Sequence, residues 1–173
     1  FDFGEYKFIL RFLTTALGSR SSSFNYDVFL SFRGKDTRHG FTGHLYNALH
    51  SKGIRTFIDD EELQRGEQIT PALTKAIQES RVAITVLSQH YASSSFCLDE
   101  LATILRWGQR KQLLVVPVFY KVDPSVVRHQ KGSYGGALAN LERRFKDDPE
   151  KLQKWKMALK QVADLSGYHF NDG

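Results

Sequence analysis

Apolar positions along the chain alternate between short continuous runs and helical stripes. The continuous runs predict buried strands at residues 26–32, 54–59, 81–88 and 113–120, with a short fifth strand at residues 168–170. Between them, apolar residues recur at three- and four-residue spacing, which is typical of helices. Strands that are apolar on both faces need helices on both sides of the sheet. We therefore predict an α/β fold with a doubly wound, five-stranded parallel sheet.

Capping residues mark several of the predicted helix boundaries. Thr70 followed by Pro71 is typical of an N-cap with a first-turn proline, and Ser94 or Ser95 begins a helix that reaches about Trp107. Residues 123–136 are rich in turn formers and predict a loop before a helix that begins near Ala137. A final amphipathic helix is marked by Leu152, Trp155, Leu159 and Val162.

The amino-terminal segment has a different pattern from the rest of the chain. A helical stripe there precedes Gly18, where a left-handed cap is expected, and its members are Ile9, Phe12, Leu13, Ala16 and Leu17. Residues 19–23 form a serine-rich hinge. We divide the chain into an amphipathic extension with its hinge at 1–24, a domain at 25–170 and a tail at 171–173. Because Asp2 and Glu5 dilute its basic face, we expect the helix to pack against the domain or a neighbouring copy rather than a membrane.

Composition narrows the class of protein without naming its function. A chain of 173 residues with 41% hydrophobic and 25% charged residues predicts one folded domain. The single cysteine, Cys97, allows neither an internal disulfide nor a cysteine-based zinc site, which favours a reducing compartment. The net charge of +5 is weak evidence for nucleic-acid binding. No run of 18 apolar residues predicts a membrane span.

Two loops expected at the carboxyl edge of the sheet carry candidate chemistry, because ligands bind there in doubly wound folds. The loop after the first strand contains Arg33, Gly34, Asp36 and Arg38, which suit a phosphate or a ribose edge but equally a structural turn. It matches neither GxGxxG nor GxxxxGK[ST], which disfavours a Rossmann dehydrogenase and a P-loop nucleotidase. Residues 59–69 form a long charged connection that predicts a lid, a contact surface or a solvated face.

The start of the third helix holds a further set of candidates. Glu100 lies on the flank of its apolar stripe, and Asp99 and Glu100 could simply complement the positive end of the helix. Cys97 is interpreted as a small buried residue rather than a nucleophile. The six histidines have no HxxxH or HExxH spacing, so we predict no metal site.

Four motifs in order resemble the Toll/interleukin-1 receptor (TIR) domain over about residues 25–170. They are YDVFLSFRGKDTR at 26–38, Gly66 in the charged loop, SFCLDEL at 95–101 and VPVFYKVDPS at 116–125. The likeness is to the plant type, which is found at the amino end of intracellular nucleotide-binding, leucine-rich-repeat immune receptors. It implies a flavodoxin-like sheet, a cytoplasmic location with the nucleus left open, and self-association with other TIR domains.

The same resemblance implies cleavage of NAD+ at the nicotinamide–ribose bond by assembled domains, with no separate cofactor. Glu100 matches the catalytic glutamate of the family. The implied substrate-binding positions are Phe32, Arg33, Gly34, Asp36, Phe96 and Cys97. The resemblance also implies a loop that gates assembly, with the positions Asp60, Arg65 and Gly66.

Two positions depart from the pattern of the family. Phe96 replaces a common tryptophan; its ring can stack on a base or fill a core position. Gly43-His44 stands where plant members often carry Ser-His in a self-association face. By helix propensity alone, the glycine costs about 1 kcal/mol relative to alanine.

The implied chemistry needs only one carboxylate. Nicotinamide leaves as a neutral base, so no general acid is required, and a carboxylate near the ribose stabilises the oxocarbenium-like transition state. This hypothesis expects Glu100 to face a hollow the size of a sugar. Two alternatives stay open: a non-catalytic adaptor that forms homo- or heterodimers, and a nucleic-acid-binding nuclease or cyclic-nucleotide synthetase.

Overall fold

A computed structural model describes residues 4–18, 23–59, 69–110 and 112–171, and it contains the predicted sheet. Five strands, all parallel, lie in the order β2-β1-β3-β4-β5. Their bounds are β1 Tyr26–Phe32, β2 Thr56–Ile58, β3 Ser80–Leu87, β4 Leu114–Tyr120 and β5 Tyr168–Phe170. The predicted flavodoxin-like α/β fold is therefore confirmed.

Helices cover both faces of this sheet. In the described part of the chain their bounds are α1 Gly4–Leu17, α2 Gly34–Thr37, α3 Phe41–Ser51, α4 Pro71–Gln78, α5 Ser95–Gln109, α6 Pro124–Arg128, α7 Gly132–Arg144 and α8 Pro149–Ala163, with a 3-10 turn at Tyr91–Ser93. Strand residues alternate between the faces: Val28 and Leu30 pack with α1 and α3, whereas Phe29 packs with α4 and α5. A third cluster joins α5 to α7 and α8.

Side-chain caps begin four of the described helices, α4, α5, α6 and α8. The Thr70 hydroxyl accepts a hydrogen bond from the Leu73 amide at 3.3 Å, and Pro71 opens α4 as predicted. The Ser94 hydroxyl accepts from the Cys97 amide at 3.1 Å and begins α5. These side chains satisfy amide groups that have no partner within the first helical turn.

The structure corrects the sequence prediction in the turn-rich segment. The Asp123 side chain accepts a hydrogen bond from the Ser125 amide at 2.8 Å and caps α6, a helix that periodicity did not predict. Helix α7 begins at Gly132 rather than near Ala137. Short helices of this kind depend on caps rather than on a repeating apolar stripe, so a search for periodicity does not detect them.

Helix α1 packs against the domain, and its buried face agrees with most of the predicted stripe. Because the helix begins at Gly4, Tyr6 joins Ile9, Leu13 and Leu17 on the buried face, and Ala16 is exposed. The Tyr6 hydroxyl donates to the Phe41 carbonyl at 3.2 Å. The helix thus shares a hydrophobic cluster with β1, α3 and the end of β5.

The strand order creates a crevice between β1 and β3. The chain leaves β1 towards β2 on one side and leaves β3 towards β4 on the other, so the two connections diverge where these strands end. In doubly wound sheets this switch point is the usual position of a ligand site. The crevice lies beyond Phe32 and Leu87, the last residues of the two strands.

Candidate functional site

The Asp36 carboxylate joins the two loops that border the crevice. One of its oxygens accepts a hydrogen bond from the Arg33 guanidinium at 2.8 Å. The other accepts from the Ser88 hydroxyl at 2.6 Å and from the His90 amide at 2.9 Å. The loop after β1 is therefore fastened to the loop after β3 across the switch point.

These hydrogen bonds control the ionisation of Asp36. Burial alone would raise the pKa of its carboxyl, but donation from Ser88, His90 and Arg33 outweighs burial, and the pKa is lowered from the ordinary value of 3.8. Asp36 is therefore a carboxylate at neutral pH. Because protein donors contact both of its oxygens, its geometry suits holding the loops together, and a direct contact with substrate stays a prediction.

A second connection across the crevice lies deeper, at Tyr91. This side chain is fully buried, and its hydroxyl lies 2.8 Å from the Ser31 hydroxyl of β1. The same hydroxyl donates to the Cys97 carbonyl in the first turn of α5 at 3.1 Å. The Cys97 thiol in turn points at the Phe32 carbonyl, with sulfur and oxygen 3.7 Å apart. Strand β1 and helix α5 are thus joined directly.

Glu100 lies on α5 less than one turn beyond Cys97. Residues three apart share a face of a helix, so Glu100 extends the face that Cys97 turns towards β1. The negative charge of Glu100 helps to raise the pKa of Tyr91, after burial and Cys97, which agrees with their closeness. Glu100 is only 3% exposed. Little of this side chain is therefore open to a ligand in the described structure, and a hollow the size of a sugar beside it stays a prediction.

Asp99 turns away from the crevice, and sequence reasoning missed its partners. The Trp155 indole of α8 donates to its carboxylate at 2.8 Å, and the Lys151 ammonium lies 3.8 Å from the other oxygen. Asp99 thus fastens α8 to α5, rather than only complementing the positive end of α5. The pairing of an acidic residue with a tryptophan 56 positions away has no local signal in a sequence.

The remaining predicted substrate residues fall into two groups. Arg33 and Gly34 lie at the start of α2, next to Phe32, whose ring stacks under the Arg38 guanidinium at 5.0 Å. Phe96 is only 7% exposed and packs with α4 and the opposite face of the sheet. Of its two expected roles, the structure therefore supports filling a core position.

The predicted gating and self-association residues lie away from the crevice or beyond the described chain. Asp60, Arg65 and Gly66 fall outside the described residues. His44 is exposed on α3. Next to it, a side-chain carbon on Gly43 would collide with the Arg38 carbonyl oxygen. Glycine is therefore required for the close approach of the backbone, and the comparison with alanine by helix propensity does not apply at this position.

A small cleft beside the crevice was not predicted. It has a volume of about 240 Å³ beyond the ends of β3 and β4, and its lining includes Asp36, His90, Tyr120 and Lys121. Lys121 has a φ of 54°, a strained backbone that is often found near functional sites. The cleft is smaller than the roughly 300–1,000 Å³ of typical ligand pockets, so it can hold part of a dinucleotide at most.

The described residues contain neither a cluster suited to a metal ion nor a membrane-spanning helix. Within residues 4–18, 23–59, 69–110 and 112–171, no group of three histidine, cysteine, aspartate or glutamate side chains could hold a metal ion. Over the same residues, no helix is long and apolar enough to cross a membrane.

Comparison with known proteins decides the family. A family model described as "TIR domain" matches residues 25–173. The chain belongs to the TIR family. Its TIR domain is 51% identical over 152 residues to the TMV resistance protein N of Nicotiana glutinosa, and 54% identical over 147 residues to the disease resistance protein RPV1 of Vitis rotundifolia.

The matches cover 88% and 85% of this chain but only 13% and 10% of those two proteins, so the chain spans a small part of their length. Among solved structures, the TIR domains of the activated Roq1 resistosome, which directly recognizes the pathogen effector XopQ, are 54% identical with a TM-score of 0.79. That match covers 84% of this chain and 87% of the other. This TIR domain is therefore of the plant disease-resistance type.

Proposed function

We propose that this TIR domain hydrolyses NAD+ at the nicotinamide–ribose bond, with Glu100 as the catalytic carboxylate. The observation that carries the proposal is the position of Glu100, on the helix that is joined to the end of β1 at the switch point of the sheet. A carboxylate buried at such a point opposes folding unless it has partners, and side chains of this kind are concentrated at functional sites.

The reaction needs little acid–base chemistry from the protein. The nicotinamide–ribose bond breaks with its electron pair going to nicotinamide, which leaves as a neutral base. Water then adds to the ribose carbon and gives ADP-ribose and a proton. Glu100 stabilises the positive charge that develops on the ribose. Arg33, whose guanidinium is fixed by Asp36, supplies donors at the edge of the crevice that suit a phosphate of the substrate.

Burial of Glu100 makes activity conditional on a change of shape. Because only 3% of Glu100 is exposed, we propose that groups covering its carboxylate move before the ribose contacts it. We propose that self-association stabilises the open form, because a contact that binds only the open state shifts the equilibrium towards it. The likeness to TIR domains of a resistosome supports assembly, and exposed His44 on α3 is a candidate contact. We propose that this occurs in the cytoplasm.

The burial of Glu100 also favours a second function, that of a non-catalytic adaptor. In that case the carboxylate serves only the packing of α5, and copies of the domain associate through their helix faces without turnover. The two functions differ in one measurable property: an enforced oligomer of an adaptor consumes no NAD+.

The decisive experiment measures nicotinamide release from NAD+ by the chain fused to an oligomerising scaffold. We expect turnover per chain to exceed that of the unfused chain, and Glu100→Gln to reduce kcat by about 100-fold or more, because the amide cannot offset positive charge on the ribose. The control is Glu142→Gln, an exposed glutamate on α7, which should retain wild-type turnover.

Two outcomes would overturn the enzyme proposal. Wild-type turnover in Glu100→Gln would remove this residue from the mechanism. If the enforced oligomer leaves NAD+ intact over hours, the adaptor function is the correct one.

A further inference from the structure

A buried tyrosine hydroxyl at the described crevice contacts both strand β1 and helix α5. Tyr91 lies in the 3-10 turn between β3 and α5, and its side chain is 0% exposed. We propose that Tyr91 is the positioning residue of Glu100: its hydroxyl, held by Ser31, sets where the first turn of α5 stands relative to β1. This inference rests on the proposed NAD+ cleavage and adds a residue that the family motifs did not single out.

The direction of each hydrogen bond follows from chemistry. A carbonyl oxygen can only accept, so the Tyr91 hydroxyl must give its single proton to the Cys97 carbonyl, 3.1 Å away. The Ser31 hydroxyl, 2.8 Å from the same oxygen, must then be the donor to Tyr91. The two hydrogen bonds therefore run in one direction, from the Ser31 hydroxyl of β1 to Tyr91 and from Tyr91 to the Cys97 carbonyl of α5.

The ionisation state of Tyr91 preserves both hydrogen bonds. Burial, together with the nearby Cys97 and Glu100, raises the pKa of the Tyr91 hydroxyl well above its usual value. The hydroxyl therefore keeps its proton over the whole physiological range and always donates to the carbonyl. A carboxylate or an imidazole at this place would change its hydrogen-bonding capacity with pH.

Helix rigidity transmits the contact to Glu100. Cys97 precedes Glu100 by three residues, and both are buried within the same helix, α5. A shift of the Cys97 carbonyl relative to β1 therefore moves the Glu100 carboxylate with it. Misplacement of a reacting group by about 1 Å can reduce the rate by about 100-fold, so a hydroxyl that never contacts substrate can still govern turnover.

Helix α1 of the same chain offers a control for removing this hydroxyl. Tyr6, 1% exposed on α1, also donates its hydroxyl to a backbone carbonyl, that of Phe41 at 3.2 Å. Tyr6→Phe and Tyr91→Phe remove the same atom from almost equally buried side chains. Only Tyr91 lies at the crevice.

The test compares steady-state nicotinamide release and thermal unfolding for the scaffold-fused chain and its variants. In Tyr91→Phe we expect kcat to fall by roughly 10- to 100-fold with KM within about twofold of wild type, because orientation is lost but binding groups remain. Tyr6→Phe should keep kcat within about twofold, with turnover of both variants measured well below their melting temperatures. A merely structural role for Tyr91 would give the two variants equal kcat.

A double-mutant cycle with Ser31→Ala tests whether Tyr91 acts through β1. If the two hydroxyls form one connection, Ser31→Ala alone lowers kcat, and the double variant is no worse than Tyr91→Phe. Ser31→Ala also carries the test if Tyr91→Phe does not fold. Unchanged kcat in Tyr91→Phe, or fully additive losses in the cycle, would overturn the inference while wild-type turnover upholds the proposed function. Absence of turnover in the wild type would overturn both.

Discussion

At the scale of single residues, hydrogen-bond donors around Asp27 and Asp36 favour the ionised form of each carboxyl group in spite of its burial. Asp27 is 7% exposed, and its carboxylate accepts from the Arg55 backbone amide at 2.9 Å and from the Arg55 guanidinium at 3.1 Å. Burial raises the pKa of Asp27, but the bonds from Arg55 prevail and the pKa is lowered. Asp36 follows the same rule with three donors. These acids stabilise the fold only while they are ionised.

The pH dependence of stability should therefore change when Asp36 is made neutral. Its folded-state pKa lies below the ordinary value of 3.8, so its stabilisation is complete above that pH and is lost as pH falls through the lowered folded value. In Asp36→Asn we expect lower stability at pH 7 and a shallower decline below pH 4 than in wild type. Urea unfolding at a series of pH values measures both. Asp147→Asn, an exposed control after α7, should keep the wild-type slope; equal slopes for all three proteins would contradict the assignment.

At the scale of elements, sequence reasoning was most accurate where the signal is local. The bounds of β1 and β5 match the prediction, and the caps at Thr70 and Ser94 lie where hydrogen-bonding side chains precede an apolar stripe. Strand β2 is shorter than predicted, because Ile54, at the start of the predicted run, lies in the connection after α3. The sequence predicts a strand over residues 54–59, but only three of these residues pair with β1.

Helix α3 provides a prediction that runs against helix propensity. An alanine is normally better than a glycine inside a helix by about 1 kcal/mol, but a side-chain carbon at Gly43 would collide with the Arg38 carbonyl. We expect Gly43→Ala to destabilise the domain by about 1–3 kcal/mol in chemical denaturation. The control is Gly136→Ala in α7, where the added carbon meets nothing within 4 Å and should stabilise by about 0.5–1 kcal/mol. Stabilisation by both changes would show that α3 tolerates the side chain.

At the scale of the whole molecule, the site was harder to predict than the fold. Motifs identified Arg33, Asp36 and Glu100 as candidates, but contacts between residues distant in the chain decide what each does. Tyr91 is 60 positions from Ser31, and nothing in either local sequence marks the pair. Burial of Glu100 likewise depends on which groups surround α5 in the folded domain, and the local sequence does not give this.

Substitutions in the amino-terminal helix α1 can show whether the hydrophobic core of the domain includes this helix. The family match begins at residue 25, yet Leu13 is 0% exposed in a cluster that it shares with β1, α3 and β5. If α1 is part of this core, Leu13→Ala leaves a cavity and should lower the free energy of unfolding by about 2–5 kcal/mol. Phe8→Ala, on the same helix but 64% exposed, should change it by less than about 0.5 kcal/mol. Because both substitutions place alanine in α1, helix propensity favours each, and the difference between them reports burial. Equal, small effects in urea denaturation would mean that the domain folds independently of α1.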